Sequence, residues 1–197
     1  MEGNVDLMII DDFIKDKELL KRLADTKGEF WEKGFSWWSG WWDSPVETLR
    51  HELIHKIWGE NCPMQFNGIT CAGFEHWIGR YGEGEDWQHL NIHKDKDEAL
   101  YEKTGEFVYP KIGTIFYPVD HNIEGGELIV YDGDEYPTDD TPADIILPKY
   151  NRLIIFDASK LHAVEQVTKG FRHAIAINLW DVKLSDGQLD SCKEVIE

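Results

Sequence analysis

Asn151 to Trp180 reads NRLIIFDASKLHAVEQVTKGFRHAIAINLW, and its periodicity decides the class of fold. RLIIF is a short apolar run closed by the turn residues DASKL, HAVEQV resumes the apolar pattern, and Lys169-Gly170 breaks it again. In the last segment Ile175, Ile177 and Leu179 alternate with Ala174, Ala176 and Asn178. Side chains two apart leave the same face of a strand, so one face is apolar and the other carries Arg172 followed by small residues. The spacing predicts strands over 152–156, 162–167 and 171–182. It also predicts a pocket beside a fixed positive charge, because an ordinary surface arginine does not call for alanines alongside it.

Upstream the same pattern continues, with strands expected over 69–80, 112–117, 127–131 and 143–147. Gly125-Gly126, Tyr150-Asn151 and Lys169-Gly170 supply turn residues that tolerate positive φ. Between Lys94 and Pro110 the chain is charged and reads as an irregular loop. Toward the N-terminus, Val5 to Ile10 suits a short strand, and Asp16 can cap a helix through KELLKRLADTK with Leu19, Leu20 and Leu23 on its apolar side. Ser44-Pro45-Val46-Glu47 has the form of a capping box, which predicts a helix running to Gly59 with Val46, Leu49, Leu53, Ile54 and Ile57 inward. The tryptophans of FWEKGFSWWSGWWDSP read as interior filler under a loop, with an aromatic substrate shelf as the alternative. Two helices followed by many short strands indicate a mainly β protein, a jelly roll with the helices packed on one sheet.

The 197 residues contain no repeat or low-complexity linker, so one domain is expected, with 1–68 as N-terminal support, 69–182 as the core and 183–197 as a tail. A formal charge of −18, from 38 acidic and 20 basic residues, repels phosphate backbones and argues against nucleic-acid or acidic partners. No apolar run is long enough to span a membrane, and the start, MEGNVDLMIIDDF, lacks the basic and apolar regions of a secretory signal. Cys62, Cys71 and Cys192 form no CxxC pair and suit a reducing cytoplasm as buried or incidental thiols.

Two stretches carry metal-ligand spacing. In RYGEGEDWQHLNIHKDKD, His93 and Asp95 stand two apart, so in an extended strand both side chains can close on one ion. His89 is a competing imidazole just before them. The second stretch, His51-Glu52-Leu53-Ile54-His55, is a literal HExxH, the zinc metalloprotease pattern, with Glu75 at a plausible distance for a third ligand. The ordinary reading of that motif is a pair of polar residues on the solvent side of an amphipathic helix. For His93 and Asp95 the third ligand is best sought on a distant strand, where His162 follows the turn DASKL, and Arg172 comes ten residues later. Two histidines and a carboxylate occupy one face of an iron octahedron and leave the others open. A dicarboxylate cosubstrate can then chelate the metal at one end and pair its far carboxylate with arginine.

The order RYGEGEDWQHLNIHKD, TIFYPVD, GGELIVYDG and NRLIIFDASKLHAVEQVTKGFRHAIAINLW resembles the 2-oxoglutarate- and Fe(II)-dependent oxygenases of the prolyl 4-hydroxylase type, over about Ile69 to Val182. The resemblance implies a double-stranded β-helix, the cupin-like jelly roll. It places the HxD...H metal motif on His93, Asp95 and His162 and the basic cosubstrate residue on Arg172, while the tyrosines that contact 2-oxoglutarate fall on Tyr117 and Tyr81. His89, not followed by the aspartate of the motif, would be a supporting or lid residue. The implied reaction hydroxylates an unactivated C–H bond with Fe(II), 2-oxoglutarate and O2, giving succinate and CO2, with ascorbate as an accessory reductant. A prolyl or other peptidyl substrate is the leading expectation, and a free amino acid or other small molecule the alternative. A catalytically silent jelly roll that binds a ligand, and a zinc protease built on His51, Glu52 and His55, are the readings of other classes.

Overall fold

A computed structural model describes residues 7–32, 34–60, 69–82, 87–120 and 122–185. Among them run twelve strands: β1 (Met8–Ile10), β2 (Ser36–Trp38), β3 (Gly73–Gly82), β4 (Leu90–His93), β5 (Ile112–Tyr117), β6 (Glu124–Gly125), β7 (Leu128–Tyr131), β8 (Ala143–Ile146), β9 (Arg152–Phe156), β10 (His162–Val164), β11 (Val167–Lys169) and β12 (Phe171–Trp180). Helices α1 (Lys17–Leu23), α2 (Leu49–Ile54) and α3 (Glu98–Thr104) accompany them. The strands form a six-stranded sheet in the order β1-β9-β5-β12-β3-β2, a four-stranded sheet β4-β10-β7-β8 and a small pair β11-β6, all antiparallel. This is the expected jelly roll.

The large sheet is covered on both faces, which is why its central strands alternate between two apolar sets. On one face Ile175, Ile177 and Leu179 of β12, with Phe116, Leu153 and Ile155, pack against Leu19, Leu20 and Leu23 of α1 and Leu53 and Ile54 of α2. On the other, Ile115, Tyr117, Ile154, Phe156 and Ala174 meet Leu128, Val130 and Ile146 of the smaller sheet. Asn151, at φ 56°, turns the chain into β9 and clamps the N-terminal segment, accepting from the Ile14 N–H and donating to the Ile14 carbonyl, both at 2.9 Å. The functional face of β12 is therefore held inside the roll between two packed layers.

Several expectations need correction. The second helix begins at Leu49, not at the Ser44 box: Thr48 is the cap, its hydroxyl accepting from the His51 N–H at 3.1 Å, while the Ser44 N–H closes a turn onto Gly40. The helix ends in a π-helical stretch, His55–Glu60. The 94–110 region is not wholly irregular, because α3 forms there, with the Asp97 carboxylate accepting from the Leu100 N–H and Gly105 in the left-handed conformation that stops the helix. The tryptophan-rich stretch contributes the edge strand β2, and its filler role holds for Trp31 and Trp38 but not for Trp41 and Trp42, which are 36% and 51% exposed.

Cys71 is a free, half-buried thiol pushed up to about 11, chiefly by burial, whereas Cys62 and Cys192 lie outside the described residues. Most of the 183–197 tail also lies outside them, though Ser185 is tied to the Asp97 carboxylate. No described helix is long and apolar enough to cross a membrane.

Candidate metal and cosubstrate site

His162 and His93 are direct cross-strand partners between β10 and β4, so strand pairing alone brings their rings to 4.3 Å between centroids. The DASKL turn prepares this: Asp157 accepts from both the backbone and the hydroxyl of Ser159, and Lys160 N–H closes onto the Asp157 carbonyl, delivering the chain into β10. Asp95 does not lie in a strand with His93, since β4 ends at His93 and Asp95 follows in the irregular segment after it, its N–H bonded to the Ala158 carbonyl at 3.3 Å. This segment still points the carboxylate at both rings. His93 Nε2 is 3.4 Å from Asp95 Oδ1, and His162 Nε2 is 3.7 Å from Asp95 Oδ2. One ligand atom from each of the three residues lies within 4.8 Å of the others, and no other group of three such residues is found among the described residues.

The hydrogen bonds behind these atoms fit a metal. His93 Nδ1 stands 2.7 Å from the Asn91 carbonyl and His162 Nδ1 2.9 Å from the Lys160 carbonyl. A carbonyl only accepts, so both Nδ1 atoms carry hydrogen and both Nε2 lone pairs face the centre. Asp95 is braced from the third side by Asn178, whose amide donates to Oδ2 at 2.9 Å. Burial opposes charge on all three groups, and their neighbours decide the outcome. Asp95 is held below the usual carboxylate range because His162, His93 and Asn178 outweigh its burial. His93 is raised, Asp95 and the Asn91 carbonyl outweighing burial, whereas His162 is lowered, chiefly by burial.

The floor of the cavity is the paired face of β12 and β3. Its register sets Arg172 opposite Tyr81, Ala174 opposite Gly79, Ala176 opposite Trp77 and Asn178 opposite Glu75. Arg172 is 2% exposed; Nε donates to the Gly126 carbonyl at 3.0 Å and one Nη to the Tyr117 hydroxyl at 2.8 Å. The guanidinium also lies over the Tyr117 and Tyr81 rings, 5.0 and 5.5 Å from their centroids. Gly126, at φ 79°, makes the tight turn that brings its carbonyl there, a backbone conformation that favours glycine, and a Cβ would stand close to Arg172 Cδ, at 3.2 Å. Burial raises the Tyr81 phenol above its ordinary value despite Arg172, so it stands as a neutral hydroxyl. Leu90, Leu128, Phe156 and Val164 complete an apolar wall around the cavity.

Five of the six expected site residues, His93, Asp95, His162, Arg172 and Tyr81, thus line one cavity, and Tyr117 stands behind it, joined to Arg172 by a hydrogen bond. His89 does not join them; it is exposed and bonds the Asn91 side chain at 3.1 Å. The HExxH residues are engaged elsewhere. His51 stacks on Trp38 at 4.4 Å and 5°, His55 sits edge-on to Trp41 at 4.9 Å, and Glu52 pairs with Arg22 at 2.8 Å. Glu75 accepts from the Trp180 indole at 3.3 Å. Two site residues escaped the sequence reading. Asn178 shares a face with Arg172 but was not assigned as the partner of Asp95, and Trp77, four residues before Tyr81 on the same face of β3, was not singled out.

Residues 76–180 match the sequence profile described as the 2OG-Fe(II) oxygenase superfamily. No curated protein matches the sequence. Among solved structures, a prolyl-4-hydroxylase from Pseudomonas putida is similar with a TM-score of 0.58 at 14% identity, the match covering 88% of this chain and 87% of that one. The viral collagen prolyl hydroxylase of Paramecium Bursaria Chlorella virus-1, in its 2OG complex, is similar with a TM-score of 0.55 at 22% identity, covering 90% of this chain and 96% of that one. Both likenesses concern the fold.

Proposed function

The chain belongs to the 2OG-Fe(II) oxygenase superfamily and is a 2-oxoglutarate- and Fe(II)-dependent dioxygenase, and we propose that it hydroxylates prolyl residues in peptides, with His93, Asp95 and His162 as iron ligands and Arg172, Tyr117 and Tyr81 as the cosubstrate clamp. Bound Fe(II) supplies the oxidising chemistry that joins 2-oxoglutarate, O2 and a C–H bond to give succinate, CO2 and the alcohol. The protein supplies position, charge and a dry cavity.

The observation that carries the assignment is the guanidinium of Arg172, buried to 2% and bonded to a carbonyl and a phenol, with no carboxylate of the described residues in ion-pair contact. A buried cation without a counter-charge is costly, so the site is built for an anion that arrives later. Two of its five N–H donors are used to fix the plane of the fork, and the others remain for a carboxylate. Tyr117 orients that fork through its hydroxyl, and the Tyr81 ring covers the guanidinium and keeps water from competing. Ala174 and Gly79 keep the floor between Arg172 and the metal donors thin; a Cβ at Gly79 would stand 3.1 Å from the Tyr81 ring and 3.5 Å from Arg172 Nη1.

At the metal end, Asn91 and Lys160 carbonyls hold the imidazoles in the tautomer that presents Nε2, and Asn178 fixes the carboxylate rotamer. The prolyl substrate is supported by the P. putida and viral neighbours, which are prolyl hydroxylases sharing this fold.

The test incubates the protein with Fe(II), ascorbate and 2-oxoglutarate against a panel of proline-containing peptides and free amino acids, following succinate and substrate mass. Stimulated succinate release together with a peptide heavier by one oxygen at proline is expected. Stimulation by a free amino acid and by no peptide would remove the peptidyl part of the assignment. Absence of succinate under every condition would remove the roles given to the six residues.

A further inference from the structure

We propose that Trp77, backed by Phe35, is the substrate-contacting surface of this cavity, and that it selects a peptide presenting a saturated, uncharged ring such as proline. The inference rests on the site reading above and adds the residue that chooses the substrate.

Position comes first. Along the floor, the Arg172–Tyr81 pair stands at one end, Ala174–Gly79 follows, then Ala176–Trp77, then Asn178–Glu75. Each step of two residues advances about 6.8 Å, so Trp77 lies two steps, about 14 Å, from the arginine end. One step further is Asn178, hydrogen-bonded to Asp95. Trp77 therefore stands between the clamp end and the level of Asn178, on the side of the floor next to β2, and lines the same cavity as the metal donors, where it can border a second organic molecule.

Size and exposure come next. Its floor neighbours Gly79, Ala174 and Ala176 are small, so the indole is the large side chain that shapes this part of the cavity. It is only half-buried, and its ring packs on Phe35 with centroids 5.1 Å apart and planes tilted by 36°. Phe35 is 46% exposed and lies at the entry to the edge strand β2, which pairs directly with β3. An apolar aromatic ledge thus runs from the protein surface to the metal donors. Two aromatic rings left open to water at the mouth of a catalytic cavity are an unfavourable exposure unless something covers them.

The chemistry of the ledge indicates what does. An aromatic face is electron-rich, and C–H bonds next to an amide nitrogen are slightly positive, so a saturated ring carrying such bonds packs flat against it. Trp and Phe bring large contact area with few rotatable bonds, so little ordering entropy is lost when a substrate docks. A carboxylate or ammonium side chain would have to give up its water against this surface. The ledge favours an amide-linked saturated ring over a charged side chain.

The experiment titrates a polyproline peptide into the full chain loaded with Zn(II) in place of iron and with 2-oxoglutarate, by calorimetry and by proton NMR of the peptide. In the wild type, proline ring protons shift upfield from the ring current of the indole. Trp77→Ala should weaken peptide binding about tenfold or more and abolish that shift, Phe35→Ala should weaken it a few-fold, and Trp77→Phe should retain most of it. Binding of 2-oxoglutarate, followed in the same samples, should change by less than about twofold, which also reports that the variants are folded. Peptide affinity unaltered in Trp77→Ala, or wild-type peptide bound without any upfield shift, overturns the proposal. Wild-type protein that binds 2-oxoglutarate but no polyproline overturns the ring selectivity. Wild-type protein that binds no 2-oxoglutarate overturns the site reading beneath it, a failure distinct from the others.

Discussion

Asn178 donates its side-chain amide to Asp95 Oδ2 at 2.9 Å, across 83 residues of sequence. The bond fixes the one expected metal ligand that has no strand of its own, since Asp95 sits in the irregular segment after β4. Asn178→Ala should therefore weaken divalent-metal binding by roughly a factor of ten while leaving the fold intact. Calorimetric titration with Co(II) measures this, and an affinity equal to that of the wild type would remove the positioning role of Asn178.

Arg172 uses Nε and one Nη to hold Gly126 and Tyr117, which leaves the rest of a planar fork for a carboxylate. A lysine keeps the charge but not the fork. Arg172→Lys should weaken 2-oxoglutarate binding at least about tenfold, and Tyr117→Phe, which loses one hydrogen bond, by about three- to tenfold. Both variants should bind Co(II) as the wild type does. Equal loss of metal and 2-oxoglutarate binding would mean that the substitutions damage the fold and not the clamp.

The HExxH segment is structural. His51 stacks flat on Trp38, and its pKa is lowered mainly by burial. His51→Ala should cost about 1 kcal/mol in urea denaturation through loss of the stack and leave stoichiometric metal binding unchanged. Loss of metal in this variant, with retention in His93→Ala, would restore the zinc reading.

Two buried or paired groups give stability a pH dependence in separate windows. His76 is 2% exposed and its folded pKa lies well below 6.5, chiefly from burial, with Arg50 and His51 adding to it. The unfolded chain takes up that proton below about 6.5 and the folded chain resists it, so stability falls as pH drops from about 6.5. Asp11 is held well below the usual carboxylate range by hydrogen bonds from Arg152 and then Lys149, so its contribution is present above about 3.9 and fades below it. Urea midpoints measured across pH should flatten from about 6.5 downward in His76→Phe, and only below about 4 in Asp11→Asn. A single common window for the two variants would contradict these assignments.

Much of this could be read from the chain. Alternation along Arg172, Ala174, Ala176 and Asn178 announced both a strand and its functional face, because a two-residue period survives any tertiary arrangement. The pairing of His162 with His93 across β10 and β4 could not be derived from local pattern, since register is a long-range property. Within 94–110, the cap at Asp97 and the stop at Gly105 were present in the sequence, but the charge density of the segment masked a helix with no buried residue. The second helix started late because Pro45 allows a helix but does not require one, and Ser44 is engaged in the Gly40 turn. Trp77 has no local mark that separates it from core tryptophans such as Trp38, because its place in the cavity follows from the pairing of β3 with β12, a long-range property.

The account stands most directly on the succinate released from 2-oxoglutarate in the presence of Fe(II) by the wild type and by His93→Ala, Asp95→Ala, His162→Ala and His51→Ala. Release by the wild type and by His51→Ala, with the other three at background, is the expected result. Release by His93→Ala, Asp95→Ala or His162→Ala at the wild-type rate would contradict the assignment of these three residues as the iron site.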